Sequence, residues 1–297
     1  MQTKPVHLPV LLDEVIHYLA PRDGGLYVDG NLGLGGHSGA ILAASSPSGR
    51  VIGFDWDEDA LAQARVNLER YQGRVEFVRR NFAEIREALA ELKVDRVDGL
   101  LLDLGLSSLQ LDGSGRGFTF QGSEPLDMRM DVRSRETAAD LLNRASEQEL
   151  ADIFYLYGEE RQARRIASCV VDVRRKIPLA TTDQLVKIVE NAVPRRFWPK
   201  KIHVATKVFQ ALRIAVNREL DNLEQILGSA AGIVKPGGRI CVISFHSLED
   251  RLVKRAFRNN PALEPVTAKA VTAADEEILA NPRSRSARLR VAAVRGE

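Results

Sequence analysis

Residues 26–55 combine a glycine-rich turn and an acidic residue at the spacing of a nucleoside-binding unit. One short apolar run reaches Asp29, and a second, residues 51–54, ends at Asp55. Glycines let the backbone turn tightly against a ligand, and the helix after the turn directs free N–H groups at that ligand. An acid about 20 residues downstream can accept both hydroxyls of a ribose. The glycines of the turn are Gly30, Gly33, Gly35, Gly36 and Gly39.

The glycine spacing favours S-adenosylmethionine over a dinucleotide as the ligand of this unit. The dinucleotide motif G-x-G-x-x-G would place a glycine at position 38, where the chain has Ser38. S-adenosylmethionine has no pyrophosphate for such a turn to hold. We therefore expect a nucleoside-containing cofactor across the carboxyl ends of the first two strands. The alternative is a glycine-rich loop in an α/β domain that binds no cofactor.

The fourth predicted strand places a second acid at the same edge of the sheet. Its residues, 97–103, are almost all apolar, which indicates a central parallel strand, and they end at Asp103. Asp103 should lie beside the methionine end of the cofactor, and its alternative role is to cap a turn or helix. Phe82 follows the third predicted strand, where a side chain can flank an adenine ring. Hydroxyl and amide groups near Asp103 come from Ser107, Ser108 and Gln110.

These side chains need a parallel sheet to position them, and the hydrophobic pattern predicts an α/β fold. Strands are expected at 26–28, 51–54, 75–79, 97–103 and 239–245, with a closing strand near the C-terminus. Helices are expected at 8–20, 40–44, 57–72, 83–92 and 203–227. A further helix begins near Ser247, which has Asp250 at capping-box spacing. His246 lies at the tip of the strand before this helix, where it either supports the helix cap or takes part in catalysis.

Residues 113–203 are predicted to form an inserted helical domain. A loop rich in glycine and mixed charge covers residues 112–131, and four segments with helical periodicity follow between 138 and 193. Four helices are too many for one crossover between parallel strands. We therefore assign 1–112 and 204–297 to the cofactor-binding core and the insertion to recognition of an RNA substrate.

Basic residues are clustered within and after the predicted insertion. Cations beside aromatic rings suit phosphates and unstacked bases, whereas a solvated helix face is the alternative. The first cluster is Arg161, Arg164, Arg165, Arg174, Arg175 and Lys176. The second, which favours RNA binding more strongly, is Arg195, Arg196, Lys200, Lys201 and Lys207 with Phe197, Trp198 and His203. The third is Arg283, Arg285, Arg288 and Arg290.

Composition excludes several classes of protein. The 297 residues carry a net charge of +2, so global charge says little about nucleic acid. Two distant cysteines form neither a disulfide framework nor zinc spacing, which suits a reducing cytoplasm, and we expect no metal. No apolar run approaches the ~18 residues of a membrane span, so no membrane partner is expected.

Eight ordered sequence blocks resemble those of the MraW, or RsmH, family of bacterial methyltransferases. The blocks span nearly the whole chain, and eight together are far more specific than one glycine motif. They read VDGNLGLGGHS, LLDLGLSSLQLD, RGFTF, PLDMRMD, YGEERQARRIA, HVATKVFQALRIAVNREL, KPGGRICVISFHSLEDRLVK and NPRSRSARLRV.

The resemblance implies a Rossmann-like class I methyltransferase core, with a mostly parallel seven-stranded sheet and an all-helical insertion. It implies S-adenosylmethionine as the methyl donor and the exocyclic N4 of a decoding-region cytosine in 16S ribosomal RNA, free or in the 30S particle, as the acceptor. A monomer and a homodimer both remain open. The implied cofactor positions are Gly35, Gly36, His37, Asp55, Phe82, Asp103 and Gln110. The chain departs from the family pattern at Asn31, Leu34 and Leu109.

Methyl transfer to an amine needs a group that accepts the N–H bonds of the amine. Many amino methyltransferases of nucleic acids use an Asp/Asn/Ser-Pro-Pro-aromatic motif after the fourth strand, but residues 103–108 read DLGLSS. We rank Asp103 first as the acceptor, Ser107 or Ser108 second, and Asp127 third. The base must be single-stranded or flipped out of its stack. The predicted RNA contacts are Arg195, Arg196, Trp198, Lys200, Lys201 and His203.

Three rival functions share parts of this pattern. An NAD(P)-dependent oxidoreductase has the same strand–glycine–helix unit. A class I methyltransferase could act on another RNA site, on protein or on a small molecule, although the clustered basic residues oppose the last two. A non-catalytic RNA-binding assembly factor could keep the fold and bind the cofactor without turnover.

Overall fold

Two compact units make up the chain, which a computed structural model describes over residues 9–112, 114–120 and 122–296. The side chains of Ser108 and Asp112 also lie outside that description. The core unit comprises Met1–Ser107 and Leu220–Glu297, and the helical unit comprises Ser108–Glu219. The helical unit contains the predicted insertion, 113–203, and extends beyond it on both sides.

A seven-stranded sheet forms the centre of the described core unit, in the order β3-β2-β1-β4-β5-β7-β6. The first five strands run parallel, and β7 is antiparallel to both β5 and β6. This architecture confirms the expected Rossmann-like α/β fold. The strand order reverses beside β1, and ligands bind outside the carboxyl ends of strands at such a point. The strands are β1 Leu26–Asp29, β2 Arg50–Phe54, β3 Val75–Val78, β4 Val97–Asp103, β5 Val234–Ser244, β6 Leu263–Pro265 and β7 Arg288–Val294.

Helices of the core unit cover both faces of this sheet. Successive strand residues point to opposite faces, so Leu100 and Leu102 pack in one apolar cluster while Leu101 packs in the other. Burying each such side chain stabilises the fold by about 1.5–3 kcal/mol. The core helices are α1 Leu12–Leu19, α2 Gly36–Ala44, α3 Glu58–Asn67, α4 Ile85–Glu91, α11 Glu219–Ile233, α12 Ser247–Asn259 and α13 Asp275–Ala280.

Short capped helices build the helical unit. Thr137 and Ser146 begin two of them, and each forms a capping box with an acid three residues later. Within the described residues, no helix of either unit is long and apolar enough to cross a membrane. The helices are α5 Ser108–Asp112, α6 Ala138–Arg144, α7 Glu147–Leu156, α8 Ala163–Arg174, α9 Thr182–Ala192 and α10 Thr206–Asn217.

The predicted helix at 203–227 is wrong, because α10 and α11 are separate helices. Arg218 has a left-handed backbone with φ of 50°, which ends α10 before α11 begins at Glu219. Asn217, the last residue of α10, accepts a hydrogen bond from Met130 N at 2.8 Å and donates to Met128 O at 2.8 Å. These bonds tie α10 to the loop before α6, so α10 belongs to the helical unit.

Two further sequence predictions need correction near β5. The predicted start of β5 at 239 is wrong, because β5 begins at Val234, which pairs with Val97 before the register shifts and pairing resumes at Arg239. The predicted cap of α12 is displaced by one residue. His246 is the N-cap, its side chain accepts a hydrogen bond from Glu249 N, and the Glu249 carboxylate accepts one from His246 N.

Candidate active site

The turn after β1 needs glycine for its packing as well as for its backbone. A Cβ at Gly30 would lie 2.5 Å from Leu102 Cδ2. Gly35 has φ of 82° and is the N-cap of α2, so a side chain there would be strained. A Cβ at Gly36 would lie 2.4 Å from Pro9 Cγ. The turn therefore brings the start of α2 against the carboxyl ends of the central strands, and direct cofactor contact by Gly35 and Gly36 stays a prediction.

Asp55 follows β2 and accepts hydrogen bonds from the backbone of the glycine turn and of the start of α3. Its Oδ2 accepts a hydrogen bond from Gly33 N at 2.9 Å, and its Oδ1 accepts one from Asp57 N at 2.9 Å. Burial raises the pKa of Asp55 to about 7 despite these two hydrogen bonds. A buried carboxyl of this kind gains from a ligand that donates hydrogen bonds to it.

His37 and Asp103 meet at the same edge of the sheet. His37 lies in the first turn of α2 and is only 5% exposed, and its Nε2 is 3.5 Å from Asp103 Oδ2. Burial alone would lower the pKa of His37, but the nearby carboxylates of Asp103 and then Asp29 outweigh it and raise that pKa. The pair therefore favours a positively charged imidazole beside a carboxylate.

Several buried polar atoms at this edge have no hydrogen-bond partner among the described residues. They include both ring nitrogens of His37, Asp103 Oδ1 and Asn31 Oδ1. Buried polar groups are almost always satisfied in folded proteins, so their clustering points to a polar ligand. The methionine end of S-adenosylmethionine offers an ammonium and a carboxylate, which match these acceptors and the imidazole. The residues present therefore fit that cofactor.

Asp29 binds both the glycine turn and the first turn of α2. It ends β1, is almost fully buried, and accepts a hydrogen bond from Ser38 Oγ at 2.7 Å and one from Asn31 N at 3.3 Å. Burial raises the pKa of Asp29. Its hydrogen bonds fix the start of the turn and the first turn of α2.

Phe82 and Ser107 lie in the core unit near the same turn. Phe82 is buried in the apolar core, and its Cβ would be 3.2 Å from a Cβ placed on Gly30. Ser107 Cβ would be 3.9 Å from a Cβ placed on Gly33. The loops after β1 and β4 therefore approach each other, while contact of Phe82 with adenine stays a prediction.

The remaining predicted site residues lie in the helical unit. Gln110 is buried, and its backbone carbonyl accepts a hydrogen bond from Ser114 Oγ. The side chain of Ser108 is outside the described part of the chain. Asp127 accepts two hydrogen bonds of 2.7 Å from the guanidinium of Arg129. Burial opposes this effect, but Arg129 keeps the pKa of Asp127 lowered, which disfavours Asp127 as a proton acceptor.

Residues 195–201 form an exposed basic and aromatic surface, which we call the 195–201 surface. The Arg195 guanidinium lies 4.9 Å from the Trp198 ring centroid, and the Arg196 guanidinium lies 4.8 Å from that of Phe197. Trp198 Nε1 donates to Val193 O at 2.8 Å, which fixes the indole. Lys200 and Lys201 are exposed beside them in sequence. Fixed rings with cations over them can stack on unpaired bases while the lysines contact phosphates.

His203 differs from the other predicted RNA contacts. Its ring stacks on Phe120 with centroids 4.9 Å apart, and its Nε2 is 3.5 Å from Glu190 Oε1. Its Nδ1 accepts a hydrogen bond from Ala205 N. These contacts give His203 a structural role at the start of α10, and its predicted RNA contact has less support than that of the 195–201 surface.

Several arginines of the other two basic clusters already bind groups of the protein. Arg288 and Arg290 both pair with Asp250, at 3.1 and 2.6 Å. Arg174 donates to Leu142 O, and Arg175 pairs with Asp172. Two arginines of the predicted third cluster therefore share one acidic partner, Asp250.

Comparisons with known proteins identify the family that this chain matches. The profile of the MraW methylase family matches residues 4–295. The ribosomal RNA small subunit methyltransferase H of Desulfotalea psychrophila is 56% identical over 98% of this chain and 99% of its own length. The protein of the same name from Geobacter sp. strain M21 is 51% identical over 96% of this chain and 97% of its own length. A solved structure from Clostridium thermocellum, described as an rRNA-methylase, aligns with this chain at a TM-score of 0.50 and 11% identity. The alignment covers 97% of this chain and 100% of the solved chain, which shows a shared fold.

Proposed function

Because the chain belongs to the MraW methylase family and is an S-adenosylmethionine-dependent methyltransferase, we propose that it methylates a cytosine of small-subunit ribosomal RNA on the exocyclic N4. Relatives that are 51–56% identical carry the name ribosomal RNA small subunit methyltransferase H, which supports the substrate class. The choice of N4 and of the decoding region rests on the family resemblance. The observation that carries the proposal is the contact between the buried His37 and Asp103, whose unsatisfied polar atoms lie at the sheet edge where Asp55 follows β2.

Each acidic residue has a separate role in holding the cofactor, which supplies an electrophilic methyl group on a sulfonium. Asp55 accepts the ribose hydroxyls, since it already lies against the glycine turn through Gly33 N. Asp103 and His37 hold the ammonium and carboxylate of the methionine end. The resemblance adds Gly35, Gly36, Phe82 and Gln110 to the cofactor-binding residues.

Asp103 is also the best candidate to assist the amine. The N4 lone pair of cytosine is delocalised into the ring, so an acceptor of its N–H bonds makes it more nucleophilic and takes up the released proton. Asp103 Oδ2 faces His37, whereas Oδ1 has no partner among the described residues. A carboxylate oxygen has two lone pairs, so Oδ1 can accept from the cofactor's ammonium and from the amine at the same time. Alignment of amine and methyl group can lower the barrier by up to ~7–11 kcal/mol in ideal cases. Ser107 is the second candidate. Asp127 ranks third, because its carboxylate is already paired with Arg129.

RNA recognition is assigned to the helical unit through its 195–201 surface. Exposed arginines and lysines suit the phosphate backbone, and Trp198 suits an unstacked base. The target cytosine has to be single-stranded or flipped to reach the cofactor. The substrate is ribosomal RNA, free or within the 30S particle, and we assign the protein to the cytoplasm where those particles assemble.

Transfer of a labelled methyl group tests this proposal and separates it from its rivals. Purified protein receives labelled S-adenosylmethionine with small-subunit RNA, 30S particles or a protein extract as acceptor. We expect label in the RNA and its release as N4-methylcytidine after nuclease digestion. Label in protein, label at another nucleoside, or cofactor binding without any transfer would contradict the proposal.

A further inference from the structure

Asn31 carries a buried acceptor that the proposed mechanism leaves unused. It follows β1 in the glycine turn, and its backbone N–H donates to Asp29 Oδ1. Its side-chain Oδ1 is buried and has no hydrogen-bond partner in the described part of the chain. In the sequence, Asn31 stands out only as a departure from the family pattern. An unsatisfied buried amide oxygen destabilises a fold, so its retention indicates a ligand that donates to it.

Asn31 and Asp103 follow the same paired point of two neighbouring strands. Asp29 of β1 pairs with Leu101 of the parallel neighbour β4, and Gly30 N donates to Leu101 O at 2.9 Å. Beyond that pair, β4 continues to Asp103, whereas Asn31 lies in the turn that follows β1. Asp103 Oδ1 is also buried without a partner among the described residues. The turn after β1 and the end of β4 thus each contribute one unsatisfied oxygen acceptor.

We propose that Asn31 Oδ1 and Asp103 Oδ1 together accept the N–H groups of the cofactor's α-ammonium. An ammonium has three donors and a positive charge, which suits one amide oxygen and one carboxylate oxygen. The sulfonium has no hydrogen to donate, and the ribose hydroxyls belong to Asp55 at the tip of β2 on the other side of β1. Asn31 is therefore a cofactor-binding residue, an inference that rests on S-adenosylmethionine as the cofactor.

A rotated side-chain amide of Asn31 would lead to a different expectation. With Nδ2 facing the ligand, Asn31 would donate to the cofactor's carboxylate instead. An Asn31→Asp substitution separates the two, since an aspartate accepts from an ammonium but repels a carboxylate. Asn31→Ala removes both possibilities.

Calorimetric titration of the full chain with S-adenosylmethionine and with 5′-methylthioadenosine tests the inference. The second ligand keeps the adenosine and lacks the aminocarboxyl group. At pH 8 we expect Asn31→Ala to weaken S-adenosylmethionine binding by about tenfold or more, the size of one hydrogen bond to a charged group. Asn31→Asp should bind it within about threefold of the unaltered protein, and both variants should bind 5′-methylthioadenosine unchanged.

Three outcomes would overturn the inference. If Asn31→Ala weakens binding of both ligands equally, the substitution has distorted the turn. If Asn31→Ala leaves S-adenosylmethionine binding unchanged, Asn31 does not contact the cofactor. If Asn31→Asp weakens S-adenosylmethionine binding as much as Asn31→Ala does, the Asn31 side chain donates to the cofactor's carboxylate. A thermal unfolding scan without ligand shows that each variant folds. If the unaltered protein binds S-adenosylmethionine but methylates no RNA, the proposed substrate fails while the role of Asn31 is still measured.

Discussion

His37 Nε2 lies 3.5 Å from Asp103 Oδ2, and this contact links the first turn of α2 to the carboxyl end of β4. The glycine turn and the acidic strand tip are thereby held at one point of the sheet edge. Both side chains keep further polar atoms that are buried and unsatisfied among the described residues. The contact therefore fixes the geometry of the pocket and leaves hydrogen-bonding capacity for a charged ligand.

Asp103→Asn should slow methyl transfer by about 10²–10⁴-fold, the usual contribution of a positioned proton acceptor. The amide keeps the size of the carboxyl but cannot take up the proton of the amine. Single-turnover rates at saturating cofactor separate this effect from weaker cofactor binding. Ser107→Ala is the comparison, and a larger loss there than in Asp103→Asn would transfer the assignment to Ser107.

Asp55 makes cofactor affinity depend on pH. Because burial raises its pKa to about 7, the carboxyl carries a proton in mildly acidic solution. That proton must leave before both oxygens can accept ribose hydroxyls, so affinity should rise with pH up to about 7, by at most about tenfold per pH unit, and then level off. Titrations between pH 5.5 and 8.5 measure the slope.

Asp55→Asn should remove that slope and weaken binding at pH 8 by about tenfold or more. Asp59→Asn is the matched control, since Asp59 is an exposed acid in α3. The contribution of His37, whose pKa is also raised, remains in both variants and serves as the baseline. An unchanged slope in Asp55→Asn would exclude the ribose assignment.

Charge reversal of the 195–201 surface should weaken RNA binding and leave cofactor binding within twofold. Arg195→Glu with Arg196→Glu removes two exposed cations, so RNA affinity should fall at least tenfold. The slope of log affinity against log salt should decrease by about 0.7 for each lost phosphate contact. Lys254→Glu with Arg255→Glu reverses two exposed charges on α12 and is the control.

Filter binding and calorimetry measure these two affinities. Equal losses of RNA and cofactor binding would indicate misfolding, and equal RNA losses in both double variants would indicate non-specific electrostatics. Either result would remove the 195–201 surface from the proposal.

Asn217→Ala should destabilise the helical unit by about 2–4 kcal/mol. The substitution leaves the buried backbone groups of Met128 and Met130 without their partner, and each such group costs about 1–3 kcal/mol. Gln63→Ala, which removes an exposed hydrogen bond to Asn67, should change stability by no more than about 0.5 kcal/mol. Urea unfolding followed by circular dichroism compares them, and equal stabilities would contradict the structural role of Asn217.

Local sequence pattern was sufficient for the first four strands and for the positions of two candidate site acids. The apolar run at 97–103 predicts β4 with the bounds that the structure has, since a buried parallel strand must be apolar on both faces. The same rule places Asp55 and Asp103 at strand tips. The predicted helix at 57–72 corresponds to α3, which Asp57 caps by accepting a hydrogen bond from Asp59 N.

The sequence predictions are wrong where backbone angles or contacts between distant residues determine the local structure. Hydrophobic periodicity continues through Arg218, so only its left-handed φ separates α10 from α11. The cap of α12 is His246, a residue type that seldom caps helices, and the Ser247 spacing therefore gave the wrong register. The unsatisfied oxygen of Asn31 depends on which residues surround the turn after β1 in the folded chain, which no local pattern contains.

Nucleoside mass spectrometry of small-subunit ribosomal RNA shows whether this protein methylates N4 of a cytosine in the cell. RNA is compared from cells that have the gene, cells that lack it, and cells complemented with the unaltered gene or with Asp103→Asn. We expect N4-methylated cytidine with the gene, its loss without the gene, and its return only with the unaltered copy. An unchanged level of N4-methylated cytidine in the cells without the gene would contradict this expectation.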